Sequence, residues 1–171
     1  DVGLSPSSLL PENTKFLSPN PLNTLMVPST ARYIISVADY NSQTQSLVAE
    51  SWKGFNINGW INPDITTAGK DILTMFPGGR VGRMSGSSPA TAILVGVCAL
   101  LFQWGIINGN DRTMNSSKLR SYLIYGATRI PGQTYPNEYT GYGYLDLYEI
   151  FKNIIAVPLA PYRSAKVNED Y

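Results

Sequence analysis

The most constraining feature of this sequence is an uncharged apolar segment from Pro89 to Trp104. Its composition predicts a single helix that Gly105 ends, and a helix that is apolar on every face must be buried inside a larger fold. Gly96 within it costs about 1 kcal/mol relative to alanine, so we expect this glycine to mark close packing against a neighbouring backbone. The apolar side chains are Ala90, Ile93, Leu94, Val95, Val97, Cys98, Leu100, Leu101 and Phe102.

The charge content is unusually low for a chain of 171 residues: 15% are charged and 43% are hydrophobic. Soluble domains carry about 25% charged residues, so we expect another part of a larger molecule to cover some of this surface. The net charge of +1 gives no indication of a nucleic-acid or membrane partner. The longest apolar run, Ile93 to Phe102, is too short to span a bilayer.

The chain contains no His and a single Cys. It therefore cannot form a Ser–His pair, a His-ligated zinc site or a His general base by itself. Cys98 lies within the apolar run, which favours a small buried side chain over a reactive thiol. We expect neither a metal nor a cofactor.

Pro, Gly and Asn positions divide the chain into an irregular segment at 1–23, a main unit at 24–156 and an extended tail at 157–171. Buried strands alternating with helices predict an α/β fold. The predicted strands are Thr24–Val27, Tyr33–Ala38, Pro63–Thr67 and Asp71–Met75, and the further helices are Ser117–Tyr125 and Asp146–Ile155.

The start of the apolar helix carries a serine, Ser88, that could act as a nucleophile. A turn containing Gly86 leads to Ser88 at the N-cap, with Pro89 at the first helical position. Backbone N–H groups there lack partners and the helix dipole is positive, so the Ser88 N–H could stabilise a developing oxyanion. A serine that only caps the helix explains the same pattern, and local physics alone favours that role.

The segment SGSSPATAILVGVCALL resembles the nucleophile signature of the subtilisin family: Gly-Thr-Ser, any residue, Ala, Ser or Thr, then an apolar helix with Gly eight positions after the serine. The matching residues are Gly86, Ser87, Ser88, Ala90, Thr91 and Gly96. PSTARYIISVADYN, NPDITTAGKDI, NSSKLRSYLIYGATR and GYGYLDLYEIF are similar to other segments of the family, in the same order. The resemblance covers residues 22–152.

Within that family, FQWGIINGND and the ending GYGYLDLY look most like the clostridial spore-germination subtilases. Members of that group carry a β-rich jelly-roll insert before the strand that corresponds to Tyr33. This chain begins about where such an insert would end. The resemblance implies a spore-associated or extracellular location.

The resemblance implies the C-terminal part of a three-layer α/β fold, with a mostly parallel sheet and a buried nucleophile helix. The family's catalytic residues run Asp, His, Ser along the chain. The Asp, the His and the oxyanion Asn would therefore belong to upstream sequence, and the main partner would be the remainder of the same enzyme. Peptides or proteins would be the substrates, cut through an acyl-enzyme on Ser88. This chain alone is expected to be inactive.

Two alternatives remain beside an active endopeptidase. One is a catalytically inactive relative that acts as a regulatory or signalling partner in spore germination. The other is a fragment unrelated to peptidases. An α/β-hydrolase is disfavoured because its His must follow the serine, and none does. Thr67 and Ala68 depart from the family's Ala-Pro pair, and Ser87 replaces its Thr.

Three further positions have competing interpretations. Asp64 matches the family's Pro-Asp motif and is expected to support a loop near the site. Asn110 and Asp111 favour a turn or cap over a calcium loop, because only one of them is a carboxylate. The segment 76–79 either lines the substrate cleft or forms an ordinary turn.

Overall fold

The computed structural model describes residues 17–18, 28–29, 31, 33–48, 51–55 and 60–156. The predicted strand Thr24–Val27, most of the segment 1–23 and the tail 157–171 lie outside these residues. The strands are β1 Val37–Asn41, β2 Ser46–Leu47, β3 Gly54–Phe55, β4 Ile61–Asn62, β5 Ile65–Ala68, β6 Ile72–Phe76 and β7 Arg80–Met84. The helices are α1 Ser87–Phe102, which continues as a π-helical segment Gln103–Ile107, α2 Ser116–Tyr125 and α3 Leu147–Ala156. The predicted α/β class is confirmed.

A small mixed sheet in the order β2-β1-β5 supports the site. β1 and β5 are parallel, with Val37 opposite Ile65, and β2 pairs antiparallel with β1. The predicted strand at Tyr33–Ala38 was placed too early. Tyr33 has φ 65°, a left-handed conformation that a strand residue cannot adopt, so the strand begins at Val37.

A β-hairpin formed by β6 and β7 leads into α1. The turn at 77–79 is ordinary, with positive φ at Gly78 and Gly79. The sequence predicted β6 to within a residue but missed β7. Two arginines and Gly82 interrupt the apolar pattern of that strand, and its pairing with β6 holds it instead.

The core lies between the sheet and the three helices. One face of α1 packs against β1 and β5, and α2 packs against α3. Burial of these apolar side chains is the main stabilising contribution. The buried cluster comprises Ile65, Leu94, Val97, Leu101, Met114, Leu119, Leu123, Ile150 and Ile154.

Helix α1 departs from its predicted form in three ways. Its N-cap is Gly86, so Ser88 and Pro89 lie inside the first turn and neither prediction for them, N-cap and first helical position, is correct. Gly105 does not end the helix, because the π-helical segment continues to Ile107. Only one face is buried: Val95 is 61% exposed, since nothing in the described part of the chain covers the opposite face.

By length and composition alone, residues 87–107 form the one helix of the described ranges that could cross a membrane, with mean hydropathy 2.1. The apolar helical stretch is therefore longer than the predicted run. Leu94, Val97 and Leu101 on its buried face join the core cluster, which is how the central helix of a globular domain packs. The expectation that the chain has no membrane partner stays a prediction.

Helix α2 begins one residue earlier than predicted and ends at Tyr125, as predicted. The Asn115 side chain accepts a hydrogen bond from the Lys118 N–H at 3.0 Å, which caps the N-terminus. The C-cap of α2 is Gly126, where a Cβ would lie 2.4 Å from a side-chain atom of Ile150. This glycine lets α3 pack closely against the end of α2.

Candidate active site

The nucleophile turn, residues 85–88, places a serine at the start of α1. Gly86 has φ 126° and ψ −177°, a conformation that side chains other than glycine rarely adopt. Its N–H donates to the carbonyl of Gly69 at 2.7 Å. The bend therefore depends on glycine and is held to the segment that follows β5.

Gly69 is a site residue that the sequence analysis did not identify. A Cβ at this position would lie 2.4 Å from the Asp39 Cβ and 2.7 Å from the Gly86 carbonyl oxygen. The Gly69 N–H also donates to the Tyr40 carbonyl at 3.0 Å. Gly69 thus links the end of β1 to the nucleophile turn, and a side chain here would push the two apart. Its only signal in the sequence was its position in NPDITTAGKDI.

Ser88 lies in the first turn of α1 and is exposed to solvent. The first N–H groups of a helix have no intrahelical partner, and Pro89 has no N–H to compete with that of Ser88. The positive end of the helix dipole also favours negative charge here. These features suit a backbone donor to an oxyanion.

The neighbouring residues hold the first turn in place. The Thr91 hydroxyl donates to the Ser87 carbonyl at 2.8 Å, a local bond within the helix. Ala90 is fully buried, so it anchors this turn to the core while Ser87 and Ser88 stay exposed. The signature residues from Gly86 to Thr91 therefore lie together at the start of α1, and Gly96 lies farther along the same helix.

A cleft with a volume of about 380 Å³ lies beside this turn. Most of its wall is apolar, and the Ser87 and Thr91 side chains contribute polar atoms. The lining also includes Pro28, Ser29, Ile34, Ile35, Ser36, Val37, Trp52 and Pro63. Ser88 is not among the lining residues, so the cleft adjoins the first turn of α1 on the side of Ser87 and Thr91.

Asp64 has structural partners, and its expected support of a loop near the site stays a prediction. Its carboxylate accepts hydrogen bonds from the Ser36 N–H at 2.7 Å and the Ser36 hydroxyl at 2.9 Å. It also forms an ion pair with Arg120, whose Nε donates at 2.8 Å. Arg120 was not predicted, because nothing in its spacing indicates a partner 56 residues away.

The electrostatics of this contact favour the charged form of Arg120. Burial of the Arg120 guanidinium acts to lower its pKa, but the hydrogen bond and the charge of Asp64 outweigh burial, so the pKa of Arg120 is raised. The Tyr142 ring lies 5.5 Å from the guanidinium carbon and adds a cation–π contact. Asp64, Arg120 and Tyr142 therefore join β5 and α2 to the loop between α2 and α3.

Asp111 forms the turn that precedes α2. Its carboxylate accepts from the Thr113 hydroxyl at 2.9 Å, the Tyr122 hydroxyl at 2.7 Å and the Lys118 ammonium at 2.6 Å. Within the described ranges, no three His, Cys, Asp or Glu residues are grouped to hold a metal ion. Asp111 thus has a turn-stabilising role in these contacts, and the expectation of no metal stays a prediction.

We expect Asp111→Asn to lower the free energy of unfolding near neutral pH and to weaken its dependence on pH below about 4. Burial acts to raise the pKa of Asp111, but the hydrogen bonds from Lys118, Tyr122 and Thr113 outweigh it and lower this pKa to about 2. A lowered folded-state pKa contributes stability above the unfolded pKa of about 4, and this is lost as pH falls towards about 2. The contribution is about 1–2 kcal/mol, reduced by the exposure of Lys118.

The measurement is the free energy of unfolding at several pH values from about 6 to about 2. The Asn variant should lose more stability at the neutral end than at the acidic end. Glu149→Gln is a suitable control, because Glu149 is in an exposed pair with Lys152. Equal losses for Asp111→Asn at every pH would contradict the assignment.

Comparison with known proteins identifies the family. A model of the subtilase family, peptidase family S8, matches residues 13–143. This is more than half of the chain, and the chain belongs to the subtilase family. None of the curated proteins searched matches it.

Among solved structures, the chain is similar to the CspB protease of Clostridium perfringens, with 38% identity and a TM-score of 0.81. The match covers 85% of this chain and 32% of that protease. The predicted resemblance to a clostridial subtilase is confirmed. The chain thus spans about a third of the length of the CspB protease.

Two peptide-maturation proteases are also similar. The prenylagaramide maturation protease PagA is 29% identical with a TM-score of 0.61, over 74% of this chain and 44% of that protease. The patellamide maturation protease PatA is 26% identical with a TM-score of 0.62, over 76% of this chain and 46% of that protease. The chain spans less than half of each.

Proposed function

We propose that this chain is the nucleophile-bearing part of a serine endopeptidase. The observation that carries the proposal is an exposed Ser88 in the first turn of α1, after a bend that only Gly86 can make readily. The Ser88 hydroxyl gives its proton to a general base as Oγ attacks the carbonyl carbon of a peptide bond. The C–N bond then breaks, the amine leaves with that proton, and water hydrolyses the acyl-enzyme to release the acid and restore the serine. The Ser88 N–H holds the oxyanion, together with an Asn side chain from upstream sequence.

The remainder of the same enzyme supplies the missing groups. The chain has no His, and a serine hydroxyl is a weak nucleophile without a general base. We therefore propose that upstream sequence provides the His and the Asp, and that this chain alone has no peptidase activity. The similarity to the CspB protease, of which the chain spans 32%, supports a larger parent enzyme. The role in spore germination is proposed from the resemblance of the sequence motifs to the clostridial germination subtilases.

The exposed face of α1 supports this partnership. Val95, Leu100 and Ile107 are 61%, 46% and 78% exposed although they lie on the most apolar segment of the chain. Burying one such side chain contributes about 1.5–3 kcal/mol, so a face of this kind favours a covering partner. We assign that partner to the upstream part of the same enzyme.

Gly96→Ala distinguishes the covered helix from an uncovered one. A Cβ at position 96 would meet nothing within 4 Å outside its own helix, so the predicted close packing is not present among the described residues. In the chain alone, the substitution should stabilise the helix by about 1 kcal/mol, because alanine has the higher helix propensity. In the complete enzyme it should destabilise, because a new Cβ would press on the covering backbone.

The measurement is the unfolding free energy of both forms with and without Gly96→Ala. Ala99→Ser, on the same exposed face, is a control without a backbone change. The same sign of effect in the chain and in the complete enzyme would contradict close packing at position 96.

Labelling with a fluorophosphonate probe tests the proposed function itself. The probe reacts only with a serine activated by a general base. We expect labelling of Ser88 in the complete enzyme, located by peptide mass spectrometry, and none in residues 1–171 alone. Failure to label the complete enzyme would refute the endopeptidase and favour the inactive, regulatory relative.

A further inference from the structure

The hairpin of β6 and β7 carries an exposed apolar face. Leu73 lies opposite Arg83, and Met75 lies opposite Val81, so all four side chains share one face of the hairpin. Leu73, Met75 and Val81 are 66%, 72% and 64% exposed. We call these four residues the hairpin patch. Among the described residues, β6 and β7 pair only with each other.

The hairpin patch is continuous with the nucleophile turn. The Asp71 N–H donates to the Ser85 hydroxyl at 2.9 Å, which closes the end of the hairpin next to Gly86. Side chains two residues apart on a strand are separated by about 7 Å. Arg83 therefore lies nearer to the nucleophile turn, and Val81 lies about 7 Å farther along the same face.

The hairpin is also the most basic part of the described chain around the site. Lys70, Arg80 and Arg83 are all exposed, and Asp71 is the one acidic residue in the segment 70–85. The Arg83 guanidinium donates to the Asp71 carbonyl at 2.8 Å, which holds it over the end of the hairpin near the turn. A cation beside apolar side chains complements a carboxylate beside apolar side chains.

We propose that the hairpin patch is a specificity-determining surface for the peptide substrate. It favours an acidic side chain nearer the scissile bond and an apolar side chain two residues farther out. An extended peptide has the same two-residue spacing as the strand, so Arg83 pairs with the carboxylate while Met75 and Val81 contact the apolar side chain. This inference rests on the proposed endopeptidase function.

The alternative occupant is the rest of the enzyme, as proposed for α1. The two surfaces differ in position: the exposed side chains of α1 continue along the helix to Ile107, whereas the hairpin patch begins beside the nucleophile turn. The hairpin patch also combines charge with apolar area, which suits a ligand that binds and leaves more than a permanently buried contact. These observations favour the substrate.

The test uses the complete enzyme and a set of peptides with one cleaved bond, located by mass spectrometry. One comparison is between peptides with Glu and peptides with Lys near the cleaved bond. The other is between peptides with Leu and peptides with Ser two residues farther out. Both comparisons are made on each side of the bond. The variants are Met75→Gln with Val81→Thr, which keep shape while removing apolar character, and Arg83→Gln. We expect about a tenfold preference for Leu over Ser, lost in the double variant, and about a tenfold preference for Glu over Lys, lost in Arg83→Gln.

Ile155→Thr is the matched control, because Ile155 is 68% exposed on α3, outside the hairpin patch. It should leave both preferences unchanged. Wild-type enzyme that cleaves the peptides while every variant keeps its preferences would overturn the inference but not the proposed function. Equal loss of fluorophosphonate labelling and of all cleavage in the double variant would also overturn it, since the patch would then be packed inside the enzyme. No labelling and no cleavage by wild type would overturn both.

Discussion

Replacing Ser88 with alanine in the complete enzyme should lower kcat for peptide hydrolysis by about a millionfold. In the proposed mechanism the Ser88 Oγ forms the acyl-enzyme, and alanine has no atom that can form it. Substrate binding should change little, because alanine keeps the backbone N–H and removes only Oγ. The measurement is steady-state kinetics on a peptide substrate, with fluorophosphonate labelling as a second readout.

Ser87→Ala is the matched control for this substitution. Ser87 is also an exposed serine in the first turn of α1, and it contributes its carbonyl oxygen to the bond with Thr91. Loss of its hydroxyl should cost no more than about a hundredfold, the effect of one hydrogen bond to a developing charge. A Ser87 variant that is inactive beside an active Ser88 variant would show that the nucleophile had been assigned to the wrong serine.

Local sequence was sufficient for the elements whose signals lie within a few residues. The apolar run at 89–104 identified α1, and Asn115 and Gly126 set the ends of α2 because caps act on adjacent backbone groups. The turn at 77–79 followed from its Pro-Gly-Gly sequence. These features need no knowledge of distant residues.

The errors arise where distant contacts decide the structure. Strand β7 exists because it pairs with β6, although two arginines and Gly82 interrupt its apolar pattern. Ser88 lies in the first turn and not at the N-cap, because the bond from Gly86 to Gly69 fixes where the chain enters the helix. The exposed face of α1 was expected to be buried, and its cover is not among the described residues. Spacing along the chain carries none of this information.

The site residues also divide into those that local sequence identifies and those that depend on distant contacts. The order of the motifs identified Gly86, Ser88 and Thr91, and the structure places them around one turn. Gly69 was not identified, because its close approach to Asp39 depends on the fold. Arg120 gave no signal at all, since its partner lies on another element.

The second large effect is expected from a substitution of Asp64, the ion-pair partner of Arg120. Asp64→Asn should lower the free energy of unfolding by about 3 kcal/mol. Asp64 is 4% exposed, and the substitution keeps its volume while removing the charge that Arg120 pairs with. The amide nitrogen of asparagine accepts no hydrogen bond, so either the Ser36 donors or the Arg120 guanidinium lose their acceptor. The measurement is chemical denaturation of the complete enzyme.

Glu149→Gln removes a carboxylate whose ion-pair partner, Lys152, is 57% exposed, so it should cost less than about 0.5 kcal/mol. Arg120→Met completes a double-mutant cycle with Asp64→Asn. The cycle isolates the coupling between the two charges from the bonds to Ser36. We expect a coupling of about 1–2 kcal/mol, less than for a fully buried pair, because Arg120 is 37% exposed.

A cost for Asp64→Asn no larger than that for Glu149→Gln would mean that this carboxylate does not hold β5 and α2 together. The fixed position of Gly69, which follows β5, would then need another explanation, and so would the geometry of the nucleophile turn that Gly69 supports.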